Sequence, residues 1–300
     1  MLIGFVSAGL MTLQQAVGVI LGANIGTTVN AQLIAFKLTE AALPAIAVGV
    51  CMKFFTRKKK YRYIGEVVLG FGLLFFGMTV MKHGLAPIKN DPTFIQFFTK
   101  FDPGTTGGLL LCVFIGAVLT ILVQSSSATI GLTMTLAMQG LLTFPGAMAL
   151  VLGENIGTTI TAQFASIGGS IASRRAAMAH SVFNVLGVVI IVSIFSPYVS
   201  MIEEFVPGLS SFVDAEGNRP YVAAHIAMAH TFFNVTATLV MLPFLNHLAR
   251  LVVKIVPDKA GAEEGSFKYL GAPGTIPVAM GIPMVFEELK KMQAKVLKAL

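Results

Sequence analysis

Gln124-Ser125-Ser126-Ser127-Ala128 places four hydrogen-bonding side chains in the middle of a long uncharged stretch. In hydrocarbon, each such group is costly if left unpaired. If the chain turns here, a helix beginning near Ser126 aims free backbone N–H groups at the turn. Hydroxyl donors beside a positive helix end make a site for an oxyanion. Serines also let helices approach closely or hydrogen-bond between them, which is the plainer use. Three in a row after a glutamine, in a segment too long for one helix, point to a site.

A second polar pattern occurs twice. Gly22-Ala23-Asn24-Ile25-Gly26-Thr27-Thr28 returns as Gly153-Glu154-Asn155-Ile156-Gly157-Thr158-Thr159. Paired glycines around an asparagine, followed at once by threonines, predict a helix break in each copy. An unwound turn offers carbonyl oxygens, and Asn and Thr add neutral oxygens, a ligand set for a small hard cation such as Na⁺. Glycines four apart are equally a helix-packing pattern.

Glu154 is the only carboxylate between Asp102 and Glu203, and the first copy has Ala23 in its place. At membrane depth it is an ion ligand or charge balancer, or it simply pairs with a backbone amide near the break. Met178-Ala-His-Ser-Val-Phe-Asn184 and Met228-Ala-His-Thr-Phe-Phe-Asn234 form a shorter echo at an offset of 50. Their His and Asn lie four apart and share a helix face. Hydrogen bonding between helices is the commoner role for such a His, and proton coupling the rarer one.

The elements that must hold these groups follow from composition. Hydrophobic residues make up 55% of the 300-residue chain and charged residues 12%, with mean hydropathy +0.81. Soluble domains carry about 25% charged residues. No Asp, Glu, Lys or Arg occurs over the 51 residues from Pro103 to Gly153, far more than the roughly 20 that span a bilayer. The chain is therefore expected to be an all-α polytopic membrane protein. The net charge of +7 sits in short clusters between apolar segments, Arg57–Lys60 with Arg62, Arg174 with Arg175, and Arg250 with Lys254. These read as cytoplasmic loops rather than a nucleic-acid surface. The acidic loop Pro197–Tyr221 suits the outside. No nucleophile–base pair or metal cluster suggests an enzyme, no cofactor is called for, and Cys51 and Cys112 lie in apolar stretches.

Leu10–Gln32 and Leu141–Gln163 align without gaps at an offset of 131 and match at 12 of 23 positions. With Arg57–Arg62 inside, Gly65–Leu85 runs outward, Thr105–Gly140 forms a re-entrant hairpin, and Phe144–Ile167 runs inward. The first copy, Thr12–Phe36, must then run outward, so the repeats are inverted. The expected organisation is an incomplete first repeat (1–56), a second repeat (65–196), an additional helix (219–250) and a cytoplasmic extension (258–300). Phe286–Leu300 is amphipathic and too short to span.

At QSSSA, the two GxNIGTT copies and the two MAHxxFN segments, the chain resembles the bacterial branch of the type II sodium–phosphate cotransporter family. The resemblance implies an inverted-repeat secondary transporter in the inner membrane, moving sodium with inorganic phosphate by alternating access. It implies substrate and ion contacts from Gln124, Ser125, Ser126, Ser127, Asn155, Thr158, Thr159, Asn24, Thr27 and Thr28; Glu154 joins these candidates on its own chemistry. Sodium would draw on Gln124, Ser125, Asn155, Thr158 and Thr27. The lipid bilayer is the remaining partner, nucleic acid is not expected, and a homodimer is compatible with the sequence. Longer members continue into a PhoU-like helical domain on the cytoplasmic side, and Glu287–Leu300 is similar to its first helix. The offset of 131 maps Gln124 to a position before Met1, so a chain truncated at both ends is expected. One complete hairpin should appear, with a half-arm near residue 1 against Thr12–Phe36 and an open groove beside it. The alternative is a non-transporting membrane fragment that associates with a full-length copy.

Overall fold

The computed structural model describes residues 1–36, 38–85, 91 and 103–258, together with 287, 289, 290 and 293. All regular structure among them is helical. The helices are α1 (Leu2–Ser7), α2 (Leu13–Ala35), α3 (Ala42–Phe55), α4 (Lys59–Leu85), α5 (Thr106–Val123) and α6 (Ser126–Met138). They continue as α7 (Phe144–Thr158), α8 (Ile160–Ser166), α9 (Ile171–Ser193), α10 (Phe195–Phe205), α11 (Val222–Met241) and α12 (Leu245–Ile255). Five stretches are long and apolar enough to cross a membrane: α2, α4, α5, α9, and α11 continuing into α12. Large apolar side chains stand open on their outer faces, Val67 and Leu122 among them, as a bilayer requires and water does not. The protein is an all-α polytopic membrane protein.

The centre is α7. From Gly146 to Asn155 each of its residues is buried, so it has no lipid face. Its neighbour α5 lies against it almost backbone to backbone. A Cβ added to Gly116 would stand 2.1 Å from the Leu150 carbonyl oxygen, and one on Gly157 would stand 2.5 Å from that of Ala117. The pair α3 and α4 is joined in the same manner through Gly49, Gly65 and Gly72. With 14 residues, α3 rises only about 21 Å, less than the roughly 30 Å hydrocarbon core.

The offset of 131 is visible in the backbone. Gly9 and Gly140 both take the left-handed conformation, with φ of 71° and 81°. Leu10 N–H donates to the Phe5 carbonyl at 2.9 Å, and Leu141 N–H to the Leu136 carbonyl at 3.0 Å. Thr12 and Thr143 then cap α2 and α7, with φ/ψ of −75°/161° and −73°/160°. Each hydroxyl accepts the N–H three residues on, from Gln15 and Gly146.

At the offset of 131, α1, which lies where the half-arm is expected, corresponds to the end of α6. Ile3 and Val6 pack on Ala176 and Ala177 of α9 and on Ala16 of α2, so the arm rests on α9 as well as on Thr12–Phe36. Beside it the glycine face of α2 is open: a Cβ at Gly18, Gly22 or Gly26 meets nothing within 4 Å. Gln124–Ser127 is the one complete hairpin turn of its kind among the described residues.

The expected break in the first GxNIGTT copy is corrected, because α2 runs unbroken through Gly22–Thr28. Thr27 and Thr28 return their hydroxyls to the Asn24 and Ile25 carbonyls, at 2.6 and 2.7 Å, and nothing pushes the helix apart. The second copy does break, at Thr159 between α7 and α8, one residue past the second glycine's threonine. Its glycines serve close approach to α5 instead of unwinding.

Pro257–Leu300 forms a separate unit. The expected linker and most of the amphipathic segment lie outside the described residues. Glu287, Leu289, Lys290 and Gln293 are helical, and Lys290 Nζ lies 2.8 Å from Glu287 Oε1.

Candidate functional site

Two residues reverse the chain between α5 and α6. Gln124 ends α5 in the left-handed conformation (φ 57°), the one non-glycine to do so among the described residues. That conformation costs an L residue roughly 1 kcal/mol. Ser125 follows in extended backbone and caps α6, its hydroxyl accepting Ala128 N–H at 3.3 Å. The N–H groups of Ser126 and Ser127 belong to the first turn of α6 and have no intrahelical partner. Below the tip the two arms are braced by Thr120 and Thr129, whose buried hydroxyls are 3.1 Å apart. Gln124 and Ser125 are exposed, while Ser126 and Ser127 are half-buried. Ser127 Oγ accepts from Asn30 Nδ2 at 2.7 Å, which fastens the hairpin to α2.

The two GxNIGTT copies are held by α9 and α11. Asn24 Oδ1 meets His180 Nε2 at 3.2 Å, and Asn155 Oδ1 meets His230 Nε2 at 3.2 Å. Gln32 Nε2 donates to Thr231 Oγ1, and Gln163 Nε2 to Ser181 Oγ, both at 2.8 Å. Exchanging the copies while exchanging α9 with α11 turns these four bonds into one another. The first copy leads from α9 to α11 and the second from α11 to α9, so the copies run in opposite senses across the same two helices.

The threonine hydroxyls donate locally. Thr158 gives its proton to the Glu154 carbonyl and Thr159 to the Ile156 carbonyl, both at 2.8 Å, and Thr159 Oγ1 in turn accepts from Ser181 at 3.1 Å. Each therefore presents only oxygen lone pairs outward, as Thr27 and Thr28 do, which suits a cation more than an anion.

Glu154 is wholly buried. Its Oε1 accepts from Thr133 Oγ1 of α6 at 2.6 Å, and its Oε2 has no hydrogen-bond partner among the described residues. Asn184 Oδ1, Asn234 Oδ1 and His230 Nδ1 are further buried acceptors with no hydrogen-bond partner among the described residues, and Asn24 Nδ2 is a buried donor without one there. Asn184 and Asn234 each donate Nδ2 to the carbonyl of their own histidine, at 3.0 and 2.9 Å. The orientation of both amides is set by that bond, since a carbonyl can only accept.

The residues singled out in the sequence thus divide into groups. Ser127 joins the first copy through Asn30, Glu154 joins α6 to α7, and the two asparagines join the histidines. Gln124 and Ser125 stand at the exposed hairpin tip, apart from that lattice. Asn30, Thr120, Thr129, Thr133, Ser181 and Thr231 were not singled out as site residues. The signal for Thr129 and Thr133 was present, since hydroxyls four apart share a helix face.

Fold and site together define a polytopic membrane protein whose repeated, oppositely directed polar segments meet in a buried core. The family model for the Na⁺/Pi-cotransporter matches residues 1–83 and 99–213, and the chain belongs to that family. It is 34% identical over 205 residues to the uncharacterized protein YqeW of Bacillus subtilis, covering 68% of this chain and 65% of that one. It is 32% identical over 208 residues to the putative inorganic phosphate export protein YjbB of Escherichia coli K12, covering 69% of this chain and 36% of that one. Over 167 residues it is 28% identical to human sodium-dependent phosphate transport protein 2B, covering 52% of this chain and 24% of that one. The match thus spans less than two thirds of the length of each of these relatives. No solved structure matches.

Proposed function

We propose that this protein moves inorganic phosphate across a bacterial inner membrane together with sodium, by alternating access. One observation carries the reading: Asn30 of α2 binds Ser127 of the hairpin, so the anion-binding tip and the cation-suited GxNIGTT helix share one structure. In this reading Ser126, Ser127 and the free N–H groups of α6 take phosphate, with Gln124 and Ser125 closing over it. Asn24, Thr27, Thr28, Asn155, Thr158 and Thr159 supply oxygen to sodium, and Glu154 balances its charge. The basic clusters and Pro257–Leu300 lie on the cytoplasmic side. Membership of the Na⁺/Pi-cotransporter family supports it, as do the phosphate export and sodium-dependent phosphate transport for which YjbB and transport protein 2B are named. The test is uptake of radiolabelled phosphate into proteoliposomes under an imposed sodium gradient. Uptake that collapses when choline replaces sodium is expected, and equal uptake in both would end the sodium reading.

A second reading is favoured by the open glycine face of α2. Gly22 and Gly26 have nothing near them, whereas the equivalent Gly153 and Gly157 are covered by α5. The chain would then work only beside a longer copy that covers that face. Purified protein without phosphate binding, regaining it on co-expression with such a copy, would select this alternative.

A further inference from the structure

Each histidine-bearing helix grips both GxNIGTT copies. On α9, His180 holds Asn24 and the adjacent Ser181 holds Gln163; on α11, His230 holds Asn155 and the adjacent Thr231 holds Gln32. A displacement of either helix therefore strains its bonds to both copies at once.

The proton positions are fixed in the second copy. Asn155 Nδ2 donates to the Val151 carbonyl at 2.8 Å, which leaves Oδ1 as the atom facing His230. His230 Nε2 must therefore carry the hydrogen. The imidazole is buried, with 1% exposure, so no water stands ready to replace it. Losing the ring would leave the Asn155 oxygen unpaired and its amide plane held from one side only.

We infer that His180 and His230 are positioning residues: they aim the amides of Asn24 and Asn155, and through α9 and α11 they couple the two copies. A ligand gripped by one copy then sets the geometry of the other. The effect on ligand affinity rests on the transport reading above; the coupling itself does not.

The test uses the full chain in proteoliposomes with sodium and radiolabelled phosphate. His230→Ala is expected to raise half-saturating sodium by about 5- to 150-fold, with a smaller loss of turnover at saturating sodium. His230→Gln, whose amide N–H can reach the same oxygen, is expected to restore most of that affinity. His180→Ala should act likewise, and the double substitution should fall short of the product of the two. A lost turnover with unchanged half-saturating sodium would make the histidines merely structural and overturn the proposal, as would a multiplicative double substitution.

A second measurement needs no transport. On a Cys51→Ser background, Thr27→Cys is labelled with a water-soluble maleimide with and without His230→Ala. The lattice predicts a changed labelling rate in the first copy, although the His230 ring hydrogen-bonds to the second. An unchanged rate overturns the coupling. A wild type that binds no phosphate, combined with a changed rate, would remove the transport reading alone.

Discussion

A Cβ added to Gly153 would stand 1.9 Å from the carbonyl oxygen of Val113, closer than any side chain can sit to a backbone atom. The same addition at Gly22, its equivalent in the first copy, meets nothing within 4 Å. One sequence pattern therefore does two different jobs, according to whether a helix lies on it.

The first prediction follows from that contrast. Gly153→Ala should destabilise the protein by about 1–3 kcal/mol or more, since backbone cannot yield as a flexible side chain can. Gly22→Ala should be neutral or stabilising by roughly 0.5–1 kcal/mol, because alanine restricts the unfolded chain and favours the helix. Thermal unfolding in detergent would read both. Equal losses at the two positions would mean that the face of α2 is covered.

The contrast also marks what the sequence could reveal. The repeat was legible in the alignment of Leu10–Gln32 with Leu141–Gln163, and the matching turns at Gly9 and Gly140 and caps at Thr12 and Thr143 are added by the structure. The continuity of α2 was not legible. Glycines permit a break but do not compel one, and helical hydrogen bonding prevails where no neighbour intrudes. The four bonds to His180, Ser181, His230 and Thr231 were half legible. The MAHxxFN echo announced a shared role, while its partners depend on how distant helices cross.

Ser127 is expected to contribute to phosphate binding beyond its bond to Asn30. Ser127→Ala should weaken binding by about 1–3 kcal/mol if a buried hydrogen bond to an anion is lost. Asn30→Ala removes only the bond at 2.7 Å that anchors the serine. Calorimetry on both single substitutions and the double one separates the roles. Unaltered binding in Ser127→Ala would take the hairpin out of the site.

Gln124 sets stability against function. Its φ of 57° favours glycine, so Gln124→Gly should stabilise the folded protein by roughly 1 kcal/mol. If the amide closes over phosphate, the same substitution should lower affinity for it. A variant that is both more stable and equally tight in phosphate binding would show that glutamine is there for another reason.

Sodium and proton coupling predict different responses to pH. Asn and Thr ligands do not titrate, whereas a relay through His180 or His230 must take up and release a proton and so makes binding follow pH. Phosphate binding is expected to require sodium at every pH at which the protein stays folded. Full binding in choline, with uptake driven by a pH gradient alone, would replace sodium with the proton.

Glu154 offers the sharpest distinction between a ligand and a filler. Its Oε1 is satisfied by Thr133, and its buried Oε2 has no partner among the described residues. A carboxylate so enclosed is stable only when a positive charge reaches it or a proton neutralises it. Glu154→Gln keeps the shape and the acceptor for Thr133 but puts an N–H₂ where Oε2 stood. If sodium uses Oε2, the substitution both removes a negative charge and points a donor at the ion, and half-saturating sodium should rise about tenfold or more. If the carboxyl is already neutral and only braces α6 against α7, glutamine is nearly isosteric and sodium dependence should not move. Glu154→Ala, which installs the residue of the first copy, adds the cost of a cavity and should lower stability in either case. Sodium titrations of phosphate binding on the wild type and Glu154→Gln decide the matter, and coincident curves would exclude this carboxylate from the ion site.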